Sequence, residues 1–209
     1  MSGIRRALIT LALGIGLAVT WPLQASEDDR LPGAEKRWLA VAFVAEAGWA
    51  DPGHRKAEAD HRAIYHVLKR RWGRMKVRWP RRYGQFVTVV QAYVAAMDPR
   101  TQKGGRVRWL LALSRQSPAD AVPPAGWPIT RARWSLHRKW WGQALERAER
   151  CLQGRRCRDP YRGRAYHWGG DMDIPRRCMV ELPNAGTYNT FYTIDAACKR
   201  RKWAQRRTR

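Results

Sequence analysis

Residues 34–47 read AEKRWLAVAFVAEA, and this stretch decides the fold. From Trp38 onward almost every position is apolar, so apolar side chains cover all sides of a helix rather than one stripe. A helix with that pattern is buried in a protein core. Gly48 ends the helix, and Asp51-Pro52-Gly53 forms the following turn. The sequence therefore predicts a core helix over 34–47.

The chain that follows this helix is also mainly helical. Residues 55–72 have apolar side chains on one face of a helix and Arg, Lys and Glu on the other. Three further segments have helical spacing: 84–97, 106–113 and 131–152. Four prolines make residues 115–130 a loop, and the pieces after Gly154 are rich in Gly, Pro and aromatic residues. We predict a mainly α single domain with a short irregular or hairpin C-terminal part held by disulfides.

The first 25 residues have the features of a secretory signal peptide. Arg5 and Arg6 precede the apolar run ALITLALGIGLAV, and Pro22 precedes the small residues Ala25 and Ser26. An uncleaved anchor is the alternative, but residues 7–20 are fewer than the roughly 20 that span a bilayer. We expect cleavage after residue 25, a periplasmic or secreted domain over 26–198, and a disordered basic tail over 199–209.

The charge of the chain predicts anionic partners. It has 41 Lys and Arg against 17 Asp and Glu, a net charge of +24. The leader argues against nucleic acid, because the abundant polyanions outside the cytoplasm are the cell wall, its acidic polymers and lipid head groups. A basic surface that serves only solubility is the alternative. We expect a monomer that binds peptidoglycan and other anionic cell-wall polymers, without nucleic acid and without a stable membrane span after signal removal.

All four cysteines lie in the last third of the chain. An even number in an exported protein predicts disulfides. Three pairings are possible, and we favour Cys151–Cys157 with Cys178–Cys198, because it closes two local loops without crossing. A four-cysteine zinc site is the rival, but the CxxC spacing is missing.

Other metal and cofactor signatures are missing as well. The sequence contains no HExxH, P-loop, GxGxxG or GxSxG motif. We interpret His54, His61 and His66 as surface histidines. The sequence predicts neither a metal nor a cofactor.

Glu46, near the end of the apolar helix, is the candidate chemical centre. Burial and the negative end of the helix dipole both favour the protonated form of a carboxyl there. A protonated carboxyl is what a general acid needs to protonate a glycosidic oxygen. The alternative is a Glu46 that faces solvent or pairs with an arginine.

Several pieces of the chain, taken in order, resemble the cell wall hydrolase family that includes the spore-cortex-lytic enzymes. VAFVAEAGW (41–49) resembles the apolar helix that runs into the family's catalytic glutamate, and the helix at 55–72 resembles the family's next helix. FVTVVQAY, ERAERCLQG with RDPYRGRAYHW, and NTFYTI resemble later family segments. The resemblance covers roughly residues 36–194. It departs at Gly48-Trp49-Ala50, where the family has acidic residues, and over 98–130.

This resemblance implies a lysozyme-like fold and a glycan-cleaving enzyme with Glu46 as the general acid. In lytic transglycosylases one residue protonates the bridging oxygen and then takes the proton of the sugar's 6-hydroxyl, giving an anhydro product. Many glycosidases use a second carboxylate instead, for which Asp51, Asp171 and Asp173 are equal candidates.

Aromatic and amide side chains near the C-terminus are candidates for substrate binding. Tyr166, His167 and Trp168 can stack on sugar rings or orient the acid, and Asn189 and Tyr192 can hold an acetamido group. Core packing is the alternative for all five. Two other functions stay open: a non-catalytic cell-wall-binding or assembly protein, and an exported nucleic-acid-binding protein.

Overall fold

The first helix, α1 (Ala34–Ala47), has the predicted bounds and lies at the centre of the helical part. All of its residues from Leu39 to Ala45 are buried. It packs against four other helices: α2 (Arg55–Arg78), α4 (Phe86–Ala95), α5 (Gln102–Ser114) and α6 (Arg131–Leu152). Because neighbours cover it on several sides, apolar residues are needed all round its middle turns.

The computed structural model describes residues 33–48, 55–97, 102–127, 130–168 and 178–198. In these ranges the protein is mainly helical with one small sheet, which confirms the predicted mainly α class. The predicted signal peptide and the basic tail lie outside the described residues. Within the described part of the chain, no helix is both long and apolar enough to cross a membrane.

The helix boundaries differ from the prediction around Pro80. α2 continues six residues beyond 72 to Arg78, because Arg, Met, Lys and Val extend a helix at little cost despite Gly73. A short helix, α3 (Pro80–Tyr83), begins with Pro80 at its first position, where the missing N–H of proline does no harm. The predicted helix over 84–97 is shorter, at Phe86–Ala95, and α5 begins four residues before the predicted 106.

The C-terminal part forms a small antiparallel sheet instead of a single hairpin. It contains β1 (His167–Trp168), β2 (Met179–Glu181) and β3 (Phe191–Ile194), with β3 in the middle. Trp168 pairs with Phe191 across the first ladder, and Glu181 pairs with Tyr192 across the second. Phe191 and Trp168 are buried, so the sheet contributes to the main core.

Two disulfides join Cys151 to Cys157 and Cys178 to Cys198, which confirms the predicted pairing. The first connects the end of α6 to the next loop, where Nε2 of His66 lies 2.6 Å from the carbonyl oxygen of Cys157. The second joins the start of β2 to the segment after β3. Disulfide pairing of this kind fits a protein that works outside the cytoplasm.

A partly buried ion pair fixes the loop between α6 and β1. Nη1 of Arg70 donates to Oδ2 of Asp159 at 2.7 Å. The same carboxylate accepts hydrogen bonds from the backbone N–H groups of Tyr161 and Gly163. Burial opposes ionisation of Asp159, but the hydrogen bonds from Arg70 and the two amides outweigh it and hold the pKa of the carboxyl below its ordinary value. The loop is therefore held against α2 on its way to Trp168.

Loss of the two disulfides should destabilise the protein by unequal amounts. The cysteines of the pairs are separated by 6 and 20 positions, and the loop-entropy model gives about 2 and about 3 kcal/mol for loops of these sizes. Denaturant unfolding of Cys151→Ala/Cys157→Ala and of Cys178→Ala/Cys198→Ala measures both. Equal stability of wild type with and without reductant would contradict the prediction.

Candidate active site

Glu46 lies in the last turn of α1, at the border between the core and the solvent. Its side chain is half-buried, whereas the preceding residues from Leu39 to Ala45 are fully buried. The hydroxyl of Tyr93 on α4 donates a hydrogen bond to Oε1 of Glu46. Gly48 ends the helix with a φ of 76°, and its N–H donates to the carbonyl of Val44 at 3.0 Å. Because side chains with a Cβ rarely adopt that φ, glycine suits this helix end.

The tyrosine that contacts Glu46 is itself held by an aromatic neighbour. The ring centroids of Tyr93 and Trp168 are 5.0 Å apart, and the guanidinium of Arg71 lies 5.7 Å from the Tyr93 centroid. Trp168 is only 5% exposed and also packs on Phe191. Trp168 therefore packs against the ring whose hydroxyl contacts Glu46.

Asn189 reaches the same helix end from the C-terminal part. Its Nδ2 donates to the backbone carbonyl of Glu46 at 3.4 Å. The segment is held by Asp60 of α2, whose two carboxylate oxygens accept the N–H groups of Tyr188 at 3.0 Å and Asn189 at 3.1 Å. Asp60 is fully buried, and the two backbone donors satisfy its oxygens there.

His61 is fully buried, so its interpretation as a surface histidine is wrong. Its Nε2 lies 3.3 Å from the carbonyl oxygen of Gly48, and its Nδ1 lies 3.2 Å from Nη1 of Arg147. Since a guanidinium can only donate, Nδ1 accepts and Nε2–H donates to Gly48. Burial first, and then the charge of Arg147, lower the pKa of His61 to about 3, so the ring is neutral at pH 7. His66 is half-buried, and His54 lies outside the described residues.

The other predicted binding residues lie on the β1–β3 ladder. His167 pairs with Tyr192 in register, and the N–H of Tyr166 donates to the carbonyl of Tyr192 at 2.8 Å. The guanidinium of Arg74 lies 5.4 Å from the centroid of the Tyr166 ring. Thus Trp168 and Asn189 are brought towards Glu46, while Tyr166, His167 and Tyr192 sit together on the sheet.

Sequence reasoning missed four members of this arrangement: Tyr93, Asp60, His61 and Arg147. Tyr93 lies at an apolar position of the helical spacing in FVTVVQAY, so the sequence gives no sign of a polar contact there. Asp60 and His61 carried a usable signal, because they are adjacent polar residues among apolar neighbours such as Ala59, Ala63 and Ile64. The carboxylates Asp51, Asp171 and Asp173 lie outside the described residues. In the ranges that the structure describes, no group of His, Cys, Asp and Glu is arranged to hold a metal ion.

A separate cleft of about 420 Å³ lies at the opposite end of α1, where Glu35, Lys69, Trp72 and Phe86 contribute to its lining. The ammonium of Lys69 lies 4.6 Å from the centroid of Trp72 and 4.5 Å from that of Phe86. The cleft contains none of the residues around Glu46, so it is not part of the candidate active site.

Comparisons of the chain with protein-family models, with curated proteins and with solved structures find no match. The resemblance to the cell wall hydrolases therefore rests on the motifs quoted above. A lysozyme-like fold and a catalytic role for Glu46 are therefore proposals. The contacts around Glu46 support them.

Proposed function

We propose that the protein cleaves the glycan strands of peptidoglycan with a lysozyme-like fold, as a lytic transglycosylase that uses Glu46 alone. The single observation that carries this proposal is the carboxyl of Glu46. It is half-exposed at the end of a buried helix and accepts a hydrogen bond from Tyr93 on one oxygen. A carboxyl at such a border can touch a ligand on the solvent side while the core fixes its position.

The hydrogen bond from Tyr93 suits the first proton transfer. In the proposed first step the carboxyl of Glu46 gives a proton to the bridging oxygen of the glycan, while the hydroxyl of Tyr93 keeps its hydrogen bond to Oε1. The departing sugar takes this proton as the C1–O bond breaks. Glu46 is left as a carboxylate, and Tyr93 still donates to it, which stabilises the charge.

The second proton transfer returns Glu46 to its starting state. The carboxylate takes the proton from the 6-hydroxyl of the sugar that carries C1, not of the departing sugar, while O6 of that sugar forms a bond to C1, and a 1,6-anhydro ring results. This sequence consumes no water and needs no second carboxylate. Asp60 is not suited to that second role, since it is fully buried and both of its oxygens accept backbone amides.

Two polar contacts support the backbone around Glu46. Asn189 donates to the carbonyl of Glu46, and His61 donates to the carbonyl of Gly48, two residues later. An acid works efficiently only when its position relative to the scissile bond is fixed. Asn189 and His61 are therefore positioning residues in this proposal.

Product analysis of digested peptidoglycan tests the proposed function. Purified sacculi are incubated with the protein, and the released fragments are weighed by mass spectrometry. Fragments with 1,6-anhydro ends, lighter by one water than hydrolysis products, are expected. Ordinary reducing ends would indicate a hydrolase, with Asp51, Asp171 and Asp173 as the carboxylates to test next. Release of no fragments would instead favour the non-catalytic wall-binding function.

Replacing Tyr93 with Phe should slow cleavage while the fold stays intact. The ring that packs on Trp168 is kept, but the donor to Glu46 is lost. Only the strengthening of this hydrogen bond as charge develops on Glu46 affects the rate. The difference between a neutral and a charged acceptor is about 1–1.5 kcal/mol, so the initial rate on sacculi should fall roughly 10-fold. Tyr65→Phe, a buried tyrosine on α2, is the matched control. A Tyr93→Phe enzyme as fast as that control would show that the hydroxyl has no part in catalysis.

A further inference from the structure

The junction between α2 and α3 forms an exposed basic corner, which comprises residues 74–82 (RMKVRWPRR). Seven consecutive residues, 76–82, are exposed. A helix that lies on a core buries every third or fourth residue, so this run shows that the corner projects from the body of the protein.

The basic corner has a high local charge without acidic residues nearby in the sequence. It contains five cations in nine residues, and no Asp or Glu occurs between Asp60 and Asp98. The cations are Arg74, Lys76, Arg78, Arg81 and Arg82, and all five are exposed. By contrast, α6 is also rich in arginine but includes Glu146 and Glu149, both in ion pairs.

Two apolar side chains stand among these cations. Val77 is 80% exposed, the largest fraction among the large hydrophobic residues that the structure describes, and Trp79 is 45% exposed. The guanidinium of Arg78 lies 4.6 Å from the centroid of the Trp79 ring. Single exposed apolar residues are common on protein surfaces, but here they project from the same corner as five cations.

A lipid surface matches both the cations and the exposed apolar side chains of the basic corner. Each Lys or Arg close to an anionic membrane contributes about 1 kcal/mol of binding, tryptophan is enriched at the headgroup level, and apolar side chains gain free energy at the boundary with the acyl chains. A hydrated anionic wall polymer also attracts the cations, but it gives Val77 no apolar environment.

We propose that the basic corner docks the protein on a membrane surface that contains anionic lipids. The proposal does not depend on the proposed enzymatic function. α2 rises about 1.5 Å per residue, so Val77 lies roughly 24 Å along the helix from His61 and roughly 9 Å from Arg71, which lies beside Tyr93. Arg74, at the inner end of the corner, lies beside Tyr166, so the variants that test the docking change only residues within 77–82.

Vesicle co-sedimentation of the full mature chain tests the docking. Mixed phosphatidylglycerol–phosphatidylcholine vesicles should bind the protein, and pure phosphatidylcholine vesicles should not. The variant Arg78→Gln/Arg81→Gln/Arg82→Gln should bind the mixed vesicles on the order of 100-fold more weakly, given the contribution of each cation. The matched control is Arg133→Gln/Arg138→Gln/Lys139→Gln, which removes the same charge from exposed positions of α6. Equal weakening in both variants would overturn the proposal, because binding would then follow net charge alone.

A second pair of variants tests the apolar contribution. Val77→Ser/Trp79→Ser should lose most of the binding that survives at high salt, where charge attraction is screened. Val122→Ser, at a position 62% exposed in the loop before α6, should bind as wild type does. Unchanged vesicle binding by Val77→Ser/Trp79→Ser would overturn the proposal, as would a wild-type protein that binds sacculi but ignores both kinds of vesicle.

Discussion

The variant Glu46→Gln is expected to lose nearly all cleavage of sacculi and to unfold at close to the wild-type temperature. Glutamine keeps the shape of the side chain and an oxygen that can accept the hydrogen bond from Tyr93, but it cannot donate or accept the catalytic proton. General acid–base catalysis contributes about 10²–10⁴-fold, and loss of the residue proposed for both transfers should cost at least that factor. Turbidity loss of sacculi measures the rate, and circular dichroism measures the fold.

Glu149→Gln provides the matched control for this experiment. Glu149 is also half-buried on a helix, with Lys36 as its ion-pair partner at 3.3 Å. Its loss should leave the cleavage rate unchanged. Full activity of Glu46→Gln would show that Glu46 is not the catalytic acid that the family resemblance implies. If cleavage depends on Glu46 but the fragments have ordinary reducing ends, Glu46 is still the acid and the protein is a hydrolase rather than a transglycosylase.

Acidification should destabilise the folded protein through His61. Its pKa is 6.5 in the unfolded chain and about 3 in the folded protein. Between these values the unfolded state binds a proton that the folded state does not, so stability is complete above pH 6.5 and falls as the pH decreases towards 3. The contribution lost between pH 7 and pH 5 is about 2 kcal/mol, on the scale of 1.36 kcal/mol per pKa unit. Denaturant unfolding at both pH values measures it.

The variant His61→Gln isolates this contribution. It should be less stable than wild type at pH 7, because the stacking on Phe43 is lost, yet its stability should fall less between pH 7 and pH 5. The remaining slope includes His137, whose pKa is lowered by burial and by the charge of Arg133. The NMR signal of the His61 ring in wild type should also stay at its neutral position at pH 5. A ring that titrates near pH 6.5 in the folded protein contradicts the prediction even if the variant does not fold.

Local signals account for the parts of the fold that could be predicted. The bounds of α1 follow from its apolar run together with Gly48, and those of α6 follow from helical spacing together with Gly154. The disulfide pairing follows from the short separations of the cysteines. The length of α2 was underestimated because its last turns are exposed and lack an apolar face. The sheet was harder to predict, since its strands are two to four residues long and β1 pairs with β3 across an intervening segment.

The candidate site could be predicted only at Glu46 and, in part, at its C-terminal neighbours. Glu46 could be recognised in the sequence because its carboxylate interrupts an apolar helix. The contact with Tyr93 spans 47 positions, and that with Asn189 spans 143. Neither spacing leaves a pattern in the sequence, because such contacts are set by how helices pack. The burial of His61 could be predicted in part from its apolar neighbours, but its partners Gly48 and Arg147 meet only in the folded protein.

The central position of α1 has a consequence for how the chain folds as it is made. α1 precedes all of its packing partners in the sequence, and one of the main ones, α6, follows only after α2 to α5. A chain that emerges from its N-terminus therefore presents an apolar segment that is fully covered only after α6, the last of these helices, has appeared. Contacts between distant segments form slowly, and apolar surface that waits for them is prone to aggregate. Newly made chains should consequently depend on a holding chaperone until α6 arrives.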